Sequence, residues 1–345
     1  MLQLAEQLRE RGHEVLPIGP ASGDPWLGTQ FRAAGFEPAT YSLRSPADPA
    51  CLAQIVRTLR RHQIDVVHSH DYFAAVYGSV AAWLLRKPHV ITMHGTRYYV
   101  ERAHRRAALK WGATHSRALV GVSGATADEL ATTLGLPRGA VRVIYNGVTA
   151  RTGDGAAVRR ELQLGDDERL IVAIGSLFPV KGHVILLQAL KALTNDPSLP
   201  AWRAAIAGIG GEEEALRVFI AEHGLAERVQ LLGFRTDVPD LLAAADVYAM
   251  PSLSEGSPLA LLEAMFAGTA ITASRTGGIP ELVSDGEDAL LTPPGDDAAL
   301  AASIARLLAD ADLRARLGAA ARRRARSRFT DERMTDEYER LYVGD

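Results

Sequence analysis

One stretch of the sequence combines two carboxylates, small polar residues and a helix start within a short span. It reads Met250-Pro-Ser-Leu-Ser-Glu-Gly-Ser-Pro-Leu-Ala-Leu-Leu-Glu-Ala-Met265. We predict Ser257 as the N-cap and Pro258 as the first residue of a helix, because these residue types favour those positions. The free N–H groups of a helix start bind anions, with Glu255 just before the helix and Glu263 inside it. The spacing favours a phosphorylated ligand that also carries hydroxyls. The alternative is a capped helix with two surface glutamates.

Two further glycine-containing turns have residues suited to phosphate. Gly175-Ser-Leu-Phe-Pro-Val-Lys181-Gly182 directly follows a strand-like run, so glycine allows a tight turn and Lys181 supplies a point charge. It lacks the glycine, lysine and serine or threonine order of a P-loop. Gly277-Gly-Ile-Pro-Glu281 again combines glycines with a proline-started helix. Each turn is a weak signal alone, and together they favour the same chemistry.

Three histidines fall at the ends of predicted strands. His68, His70 and His94 follow two strand-like runs in the first half of the chain. Ligands of open α/β sheets bind outside the carboxyl ends of strands, so these side chains have a suitable position. A zinc site would need a further ligand or an open water position. We therefore expect a hydrogen-bonded structural role or a role at a ligand cleft, and no metal site.

Short apolar runs alternate along the chain with segments of helical periodicity. This alternation predicts parallel sheets covered on both faces by helices. At roughly 150 residues per domain, the 345 residues correspond to two α/β domains. The predicted strands are Val15–Ile18, Asp65–His68, Val90–Met93, Ala118–Val122, Val141–Tyr145, Leu170–Ile174, Trp202–Ala207, Val229–Leu232, Val247–Met250, Ala270–Thr272 and Ala289–Leu291.

The most favourable domain boundary is the small, polar stretch 149–155, which separates a first domain, 1–148, from a second. The chain begins with a helical pattern that ends at Gly12, and a strand follows. A doubly wound domain normally opens with a strand and a glycine-rich turn. We therefore expect that first strand and its turn to be absent from this sequence.

Composition limits the function classes. Hydrophobic residues make up 47% and charged residues 23%, which excludes a disordered or fibrous chain, and a single cysteine excludes a disulfide framework. The sequence has no membrane-length apolar run and no signal pattern, so we predict a soluble, cytoplasmic protein. Residues 1–148 carry 17 Lys and Arg against 11 Asp and Glu, whereas residues 149–345 carry 21 against 30. The basic first half favours an anionic partner there, with an ordinary solvated surface as the alternative.

Several segments together resemble the retaining glycosyltransferases of family four, which have the two-domain GT-B fold and nucleotide-sugar donors. The resemblance covers nearly the whole chain. It implies two doubly wound Rossmann-like domains facing across a cleft: 1–148 on the acceptor side and 149–328 binding the nucleotide sugar, with 329–345 packing back on the first domain. The segments that carry it are Glu255-x7-Glu263 with its Ala-Met continuation, Gly277–Glu281, Gly175–Gly182, Val143–Val148 and Thr92–Gly95.

The resemblance also implies roles for single residues. Glu255 resembles the glutamate that contacts the transferred sugar, and His94 the histidine near that sugar, so these two are the candidate catalytic residues. Glu263 resembles the glutamate that binds the ribose hydroxyls, and Lys181 the lysine that neutralises the leaving diphosphate. The remaining donor-binding positions are Ser176, Gly233, Phe234, Ser257, Pro258 and Leu259.

The implied reaction is metal-independent, retaining transfer of a hexosyl or N-acetylhexosaminyl group in bacterial glycan, glycolipid or surface polysaccharide synthesis. The implied co-substrate is a nucleotide sugar, with a UDP-sugar favoured over a GDP-sugar, and no other cofactor. The acceptor would be a sugar, a lipid-linked molecule or a small molecule, and no nucleic-acid partner is expected.

Two departures from the family pattern keep other functions open. Ser176 stands where the family usually has an arginine, and the opening strand with its Gly-Gly loop is not in the sequence. A truncated or inactive GT-B protein that binds a sugar nucleotide or a partner is therefore one alternative. A nucleotide-sugar epimerase or a phosphorylase is another, although four lysines leave little room for pyridoxal phosphate.

A basic and aromatic segment suggests peripheral contact with the inner face of a membrane. It combines four cations with three aromatic side chains: Arg102, Arg105, Arg106, Lys110, Tyr98, Tyr99 and Trp111. A solvated helix over the acceptor cleft is the alternative.

Overall fold

The computed structural model describes residues 1–21, 25–95 and 102–344. Its internal contacts divide the chain into two units, one formed by Met1–Asn146 with Asp331–Asp345 and the other by Gly147–Thr330. All strand pairings described in the two units are parallel. Parallel strands need a crossover between them, usually a helix, so the alternation of strands and helices read from the sequence gives this architecture.

The first unit contains two parallel sheets in its described part. The elements are α1 (Leu2–Glu10), β1 (Ile18–Pro20), α2 (Pro25–Ala33), β2 (Ala39–Tyr41), α3 (Pro49–Arg61), β3 (Val67–His70), α4 (Tyr72–Leu85), β4 (His89–Met93), α5 (Ala103–His115), β5 (Ala118–Gly121), α6 (Gly124–Leu134) and β6 (Val141–Val143). A two-stranded sheet pairs β1 with β2, and a four-stranded sheet has the order β3-β4-β5-β6.

The second unit contains one six-stranded sheet. The elements are α7 (Gly155–Glu161), β7 (Arg169–Ile174), a 3₁₀ turn (Pro179–Lys181), α8 (His183–Leu193), β8 (Trp202–Ala207), α9 (Glu213–Glu222), β9 (Val229–Gly233), α10 (Val238–Ala244), β10 (Val247–Met250), α11 (Leu259–Ala267), β11 (Ala270–Ser274), α12 (Ile279–Leu282), β12 (Leu290–Thr292), α13 (Asp297–Ala309) and α14 (Ala311–Arg328). The order of the strands in the sheet is β12-β11-β10-β7-β8-β9, which is the strand order of a Rossmann domain.

The central strands are apolar throughout because both of their faces are covered. On β7, Ile171 and Ala173 pack into one core cluster, whereas Leu170 and Val172 pack into another on the opposite face. Successive side chains of a strand point to opposite faces of the sheet, so a strand between two helix layers needs apolar residues at every position.

The last helix, α15 (Asp331–Val343), belongs to the first unit. Its Met334, Tyr338 and Leu341 share a core cluster with Leu4 and Leu8 of α1. The segment 331–345 carries six acidic residues and two arginines, so the first unit has a net charge of about +2, although residues 1–148 alone are at +6. The helix thus covers the sheet and offsets most of the basic charge seen in the first half of the sequence.

The structure differs from the sequence-based strand predictions mainly at the start of the chain. The strand predicted over Val15–Ile18 is found at Ile18–Pro20, and Ala39–Tyr41 was not predicted. Both strands have three residues, which is too short for an alternating pattern to stand out. The strands Trp202–Ala207 and Val247–Met250 have the predicted bounds, and the other predicted strands are present with ends shifted by one or two residues.

Within the described ranges, no helix combines the length and the apolar surface needed to cross a membrane. The 18-residue α14 is long enough, but it carries seven arginines.

Gly318 gives a test of the packing between α14 and α11. A Cβ atom at this position would lie 2.0 Å from the carbonyl oxygen of Gly268, which ends α11. We expect Gly318→Ala to lower the free energy of unfolding by about 1–3 kcal/mol, although alanine in a helix is favoured over glycine by about 1 kcal/mol. Urea denaturation measures the change.

Gly211→Ala is the matched control, because a Cβ atom there would meet no heavy atom within 4 Å. Its effect should remain within about 0.5 kcal/mol. A Gly318→Ala protein more stable than the parent would contradict the close helix contact.

Candidate active site

Four loops of the second unit meet at the carboxyl ends of its central strands. They follow β7, β8, β10 and β11, and backbone hydrogen bonds connect them. These bonds run from Leu177 N to Ile209 O (2.9 Å), from Leu253 N to Val180 O (2.8 Å) and from Gly278 N to Glu255 O (3.0 Å).

Two glycines are required by how closely these loops approach. Gly182 has φ of +66° and its Cβ position is 2.1 Å from the carbonyl oxygen of Pro251. Gly277 has φ of +51° and its Cβ position is 1.9 Å from the carbonyl oxygen of Glu255. A side chain at either position would clash with backbone and would strain its own φ. The glycines noted in the sequence therefore bring loops together around Glu255.

The centre of this edge is an ion pair. Lys181 Nζ donates a hydrogen bond to Glu255 Oε1 at 2.7 Å, and Ser252 Oγ donates to the same oxygen at 2.7 Å. The Glu255 side chain is only 7% exposed. A carboxylate removed from water needs such donors, so Lys181 and Ser252 stabilise its charged form.

The helix after this loop begins one residue later than predicted. Pro258 is the N-cap of α11, with φ of −70° and ψ of 121°, and no side chain caps the helix. The prediction of Ser257 as N-cap and Pro258 as first helical residue is therefore wrong. Proline restricts φ but not ψ, and the extended ψ of Pro258 delays the helix to Leu259. The helix donors available to an anion start at the N–H of Leu259, because Pro258 has none.

Glu263 lies inside α11 and is half-buried. Burial raises its pKa, and the charge of Arg151 opposes that shift. Tyr248, which is fully buried on β10, has its pKa raised by burial first and then by both Glu255 and Glu263. The structure therefore brings both predicted glutamates within electrostatic range of the same residue of β10.

The other predicted donor-binding residues lie along the same edge. Gly233 ends β9 with φ of +65°, and its carbonyl accepts from Gly208 N at 2.8 Å. Phe234 follows and is 53% exposed. Ser176 is half-buried in the loop after β7.

His94 lies in the first unit, at the end of β4, in a network that includes the last helix. His94 Nε2 is 3.1 Å from His70 Nδ1. The neighbouring His68 contacts Tyr342 OH through Nδ1 at 2.7 Å and Thr92 Oγ1 through Nε2 at 2.8 Å. Tyr338 OH is 2.9 Å from the same Thr92 Oγ1.

Among the described residues, no group of three or more His, Cys, Asp or Glu side chains is arranged to hold a metal ion. The chain contains one Asp-x-Asp sequence at Asp310–Asp312. Asp310 is the N-cap of α14, where its carboxylate accepts from Leu313 N at 2.8 Å. Asp310 and Asp246 both interact electrostatically with Arg314. Asp246 also accepts a hydrogen bond from Leu170 N at the start of β7, so the triplet lies at the amino edge of the sheet.

Sequence reasoning did not assign a role to Ser252, Thr92, Tyr338 or Tyr342. Ser252 lies within the glutamate segment, directly after a predicted strand, and this position could have identified it as a site residue. The spacing of Tyr338 and Tyr342 by four residues places them on one face of a helix, but no local pattern says which strand that face meets.

The comparisons with known proteins agree with this geometry. Residues 1–151 match the family model Glycosyltransferase Family 4, and residues 155–324 match the model Glycosyl transferases group 1. The chain is 26% identical to N-acetyl-alpha-D-glucosaminyl L-malate synthase of Bacillus anthracis, covering 99% of this chain and 91% of that protein. It is 30% identical to a glycogen synthase of Mycobacterium tuberculosis, covering 99% and 89%. The crystal structure of Anabaena Alr3699/HepE in complex with UDP matches with a TM-score of 0.86 at 25% identity, covering 99% of this chain and 94% of that one.

Two α/β units built on parallel sheets, one of them with a Rossmann strand order, define a GT-B architecture. The chain belongs to the glycosyltransferases of group 1 and family 4. The family and the GT-B fold predicted from the sequence are confirmed, whereas the retaining mechanism and the absent first strand stay predictions.

Buried His89 and half-buried His68 of the first unit predict a loss of stability in mild acid. Burial lowers the pKa of His89 to about 4 and that of His68 to about 3. An unfolded histidine has a pKa near 6.5. Between about pH 6.5 and 4 the unfolded chain therefore binds more protons, and the free energy of unfolding falls as the pH falls, by about 1.4 kcal/mol per pH unit for each such histidine.

Urea denaturation at neutral pH and at about pH 5 measures this slope. His89→Gln keeps a hydrogen-bonding side chain that does not titrate, so its slope should be shallower than that of the parent. A free energy of unfolding that stays constant over this range would show that these histidines are not held neutral.

Proposed function

We propose that the protein transfers a sugar from a nucleotide-diphosphate-sugar donor to an acceptor hydroxyl with retention of anomeric configuration. The observation that carries the proposal is the Lys181–Glu255–Ser252 cluster at the carboxyl edge of the Rossmann sheet, beside the start of α11. Ligands of such sheets bind at this edge. A cation, a carboxylate and a helix N-terminus together match a ligand that has both phosphates and a sugar.

The donor diphosphate would lie against the N–H groups that begin at Leu259, with Lys181 and the Ser176 hydroxyl as further donors. A lysine ammonium has three protons, so Lys181 can keep its bond to Glu255 and still donate to a phosphate oxygen. Glu263 would accept from the ribose hydroxyls, and Gly233 with Phe234 would contact the base. A UDP-sugar is favoured, because structures of Anabaena Alr3699/HepE contain UDP and UDP-glucose.

Charge separation in the reaction fits the charges at this edge. As the glycosidic bond breaks, negative charge grows on the leaving diphosphate and positive charge on the anomeric carbon. Lys181 and the helix N-terminus stabilise the first, and the Glu255 carboxylate stabilises the second. These groups provide the charge that a divalent cation would otherwise supply, which is the basis for proposing metal-independent transfer.

The acceptor would bind to the first unit, where His94 ends a central strand. The names of relatives point to chemically different acceptors: one is N-acetyl-alpha-D-glucosaminyl L-malate synthase and another is D-inositol 3-phosphate glycosyltransferase. A third carries diphosphoundecaprenol in its name. We propose a hydroxyl of a sugar, a lipid-linked molecule or a small molecule as the acceptor, in glycan, glycolipid or surface polysaccharide synthesis.

Glu255→Ala tests the assignment. We expect the turnover number to fall about 100-fold or more, because electrostatic stabilisation of the transition state is removed. Circular dichroism should report an intact fold, and calorimetry should still show UDP binding because the helix N-terminus and Lys181 remain. Transfer is measured with radiolabelled UDP-sugars and a panel of acceptors.

Glu214→Ala, on the exposed side of α9, is the matched control and should keep full activity. Full activity of Glu255→Ala would refute the assignment. UDP binding by the parent protein without any transfer or donor hydrolysis would favour the binding-only alternative, and C2 epimerisation of the donor in the absence of acceptor would favour an epimerase.

We also propose peripheral membrane contact through the first unit. Trp83 is 57% exposed at the end of α4, Leu84 beside it is exposed, and the Trp83 ring lies 6.1 Å from that of Trp111 on α5. Lys110, adjacent to Trp111, is also exposed. Aromatic and basic side chains on one surface favour an anionic interface. Tyr98 and Tyr99, also predicted to take part, lie outside the described residues.

Co-sedimentation with anionic phospholipid vesicles at low salt tests this contact. We expect binding that falls at high salt, because exposed charges are screened. It should also fall in Trp83→Ala and in a double alanine variant of Arg105 and Arg106. Trp202→Phe, at a buried tryptophan of the second unit, is the control, and equal binding to neutral vesicles would contradict the electrostatic part.

A further inference from the structure

His70 and His94 form a hydrogen-bonded pair, so the proton position on one ring limits the proton position on the other. Their rings lie within 22° of parallel with centroids 5.3 Å apart, and His70 Nδ1 is 3.1 Å from His94 Nε2. This is hydrogen-bond distance between two nitrogens, so one N–H must lie between them. Each neutral imidazole has one N–H and one acceptor nitrogen.

A histidine with an ordinary pKa near 6.5 is already mostly neutral above pH 7, and the surroundings of both rings lower their pKa further. Burial lowers the pKa of His70 well below its usual value, and His68 and His94 lower it further. Desolvation also lowers the pKa of His94, and Asp71 opposes that shift. A shared proton in a neutral pair leaves two arrangements. Either His70 donates from Nδ1 and His94 carries its proton on Nδ1, or His94 donates from Nε2 and His70 carries its proton on Nε2.

The two histidines must therefore adopt the same tautomer. In the mixed combinations, two protons or two lone pairs would face each other across 3.1 Å. The proton position on His70 thus determines whether Nδ1 of His94 is a donor or an acceptor. His94 Nδ1 is the nitrogen not used in the pair.

His70 is held in place by its contact with His68. The His68 ring lies 4.2 Å from the His70 ring, centroid to centroid. Tyr342 and Thr92 occupy both nitrogens of His68, and its ring packs 4.9 Å from that of Tyr338. Two tyrosines of α15 therefore restrict His68, and His68 restricts His70.

We propose that His70 is a positioning residue for His94: it orients the His94 ring and determines which ring nitrogen carries the proton, with His68 and α15 holding His70 in place. The link to catalysis rests on the proposed function, together with the place near the transferred sugar that the family resemblance implies for His94. The matched tautomers rest only on the geometry of the first unit.

Nitrogen-15 spectra of the imidazole groups test the coupling without any activity measurement. With ¹⁵N-labelled histidine, two-bond ¹H–¹⁵N correlations distinguish the Nδ1–H from the Nε2–H tautomer, and the variants at positions 70 and 94 assign the signals. In the parent protein we expect one dominant tautomer that is the same at His70 and His94. Opposite tautomers at the two residues would overturn the proposal.

Substitution tests the effect on the reaction. His70→Phe retains a ring without a hydrogen bond, so we expect the His94 signals to move to averaged, mixed-tautomer values. The turnover number should fall about tenfold or more through misorientation, with the KM for the donor changed little. His70→Asn places an amide near the position of Nδ1 and should recover part of both properties, and it tests the proposal if His70→Phe does not fold.

His115→Asn is the matched control, because His115 is exposed on α5 and contacts Trp111 and not this network. It should leave the His94 signals and the turnover number unchanged. Unchanged His94 signals in both folded His70 variants would overturn the positioning role. Matched tautomers in a parent protein without transferase activity would support the pairing and refute the proposed function instead.

Discussion

The near-complete burial of the Glu255 carboxylate is the constraint on which the carboxyl edge of the second unit depends. Taking a carboxylate out of water costs several kcal/mol, and Lys181 and Ser252 offset that cost with two hydrogen bonds of 2.7 Å. Lys181 belongs to the loop after β7, whereas Ser252 and Glu255 belong to the loop after β10. One charge therefore holds two loops together, and the backbone carbonyl of Glu255 adds the loop after β11 through Gly278. Contacts within the chain therefore connect the three loops at this edge.

The first unit organises its strand ends with neutral groups instead of an ion pair. His68, Thr92 and the two tyrosines of α15 pair their polar atoms, so burial of the imidazole leaves no nitrogen of His68 unsatisfied. The contacts between α15 and the strands join residues 246 and 274 positions apart. The last helix covers the sheet and, through its contacts with His68 and Thr92, also supports the strand ends next to His70 and His94. Its acidic residues pair with Arg11 and His13, which also offsets the basic charge of the unit.

Much of this fold could be read from local patterns. Continuous apolar strands such as Val247–Met250, separated by helical periodicity, are enough to predict parallel sheets with two helix layers. The glutamate segment and its glycine-rich neighbours are also recognisable from residue types and spacing. Three-residue strands such as Ala39–Tyr41 are too short to carry a pattern. The start of α11 could not be read correctly, because proline fixes φ and leaves ψ open, and the residue type therefore does not say whether Pro258 is the N-cap or the first helical residue.

The sequence by itself determined the class of fold, the order of its elements and the family, since periodicity and motif spacing are local properties of the chain. Only the tertiary structure decided which polar atoms meet. The bond from Lys181 to Glu255 spans 74 residues, and that from His68 to Tyr342 spans 274. Such partners are chosen by the packing of whole helices and loops, because a buried polar atom must find its donor or acceptor wherever the fold brings one within reach.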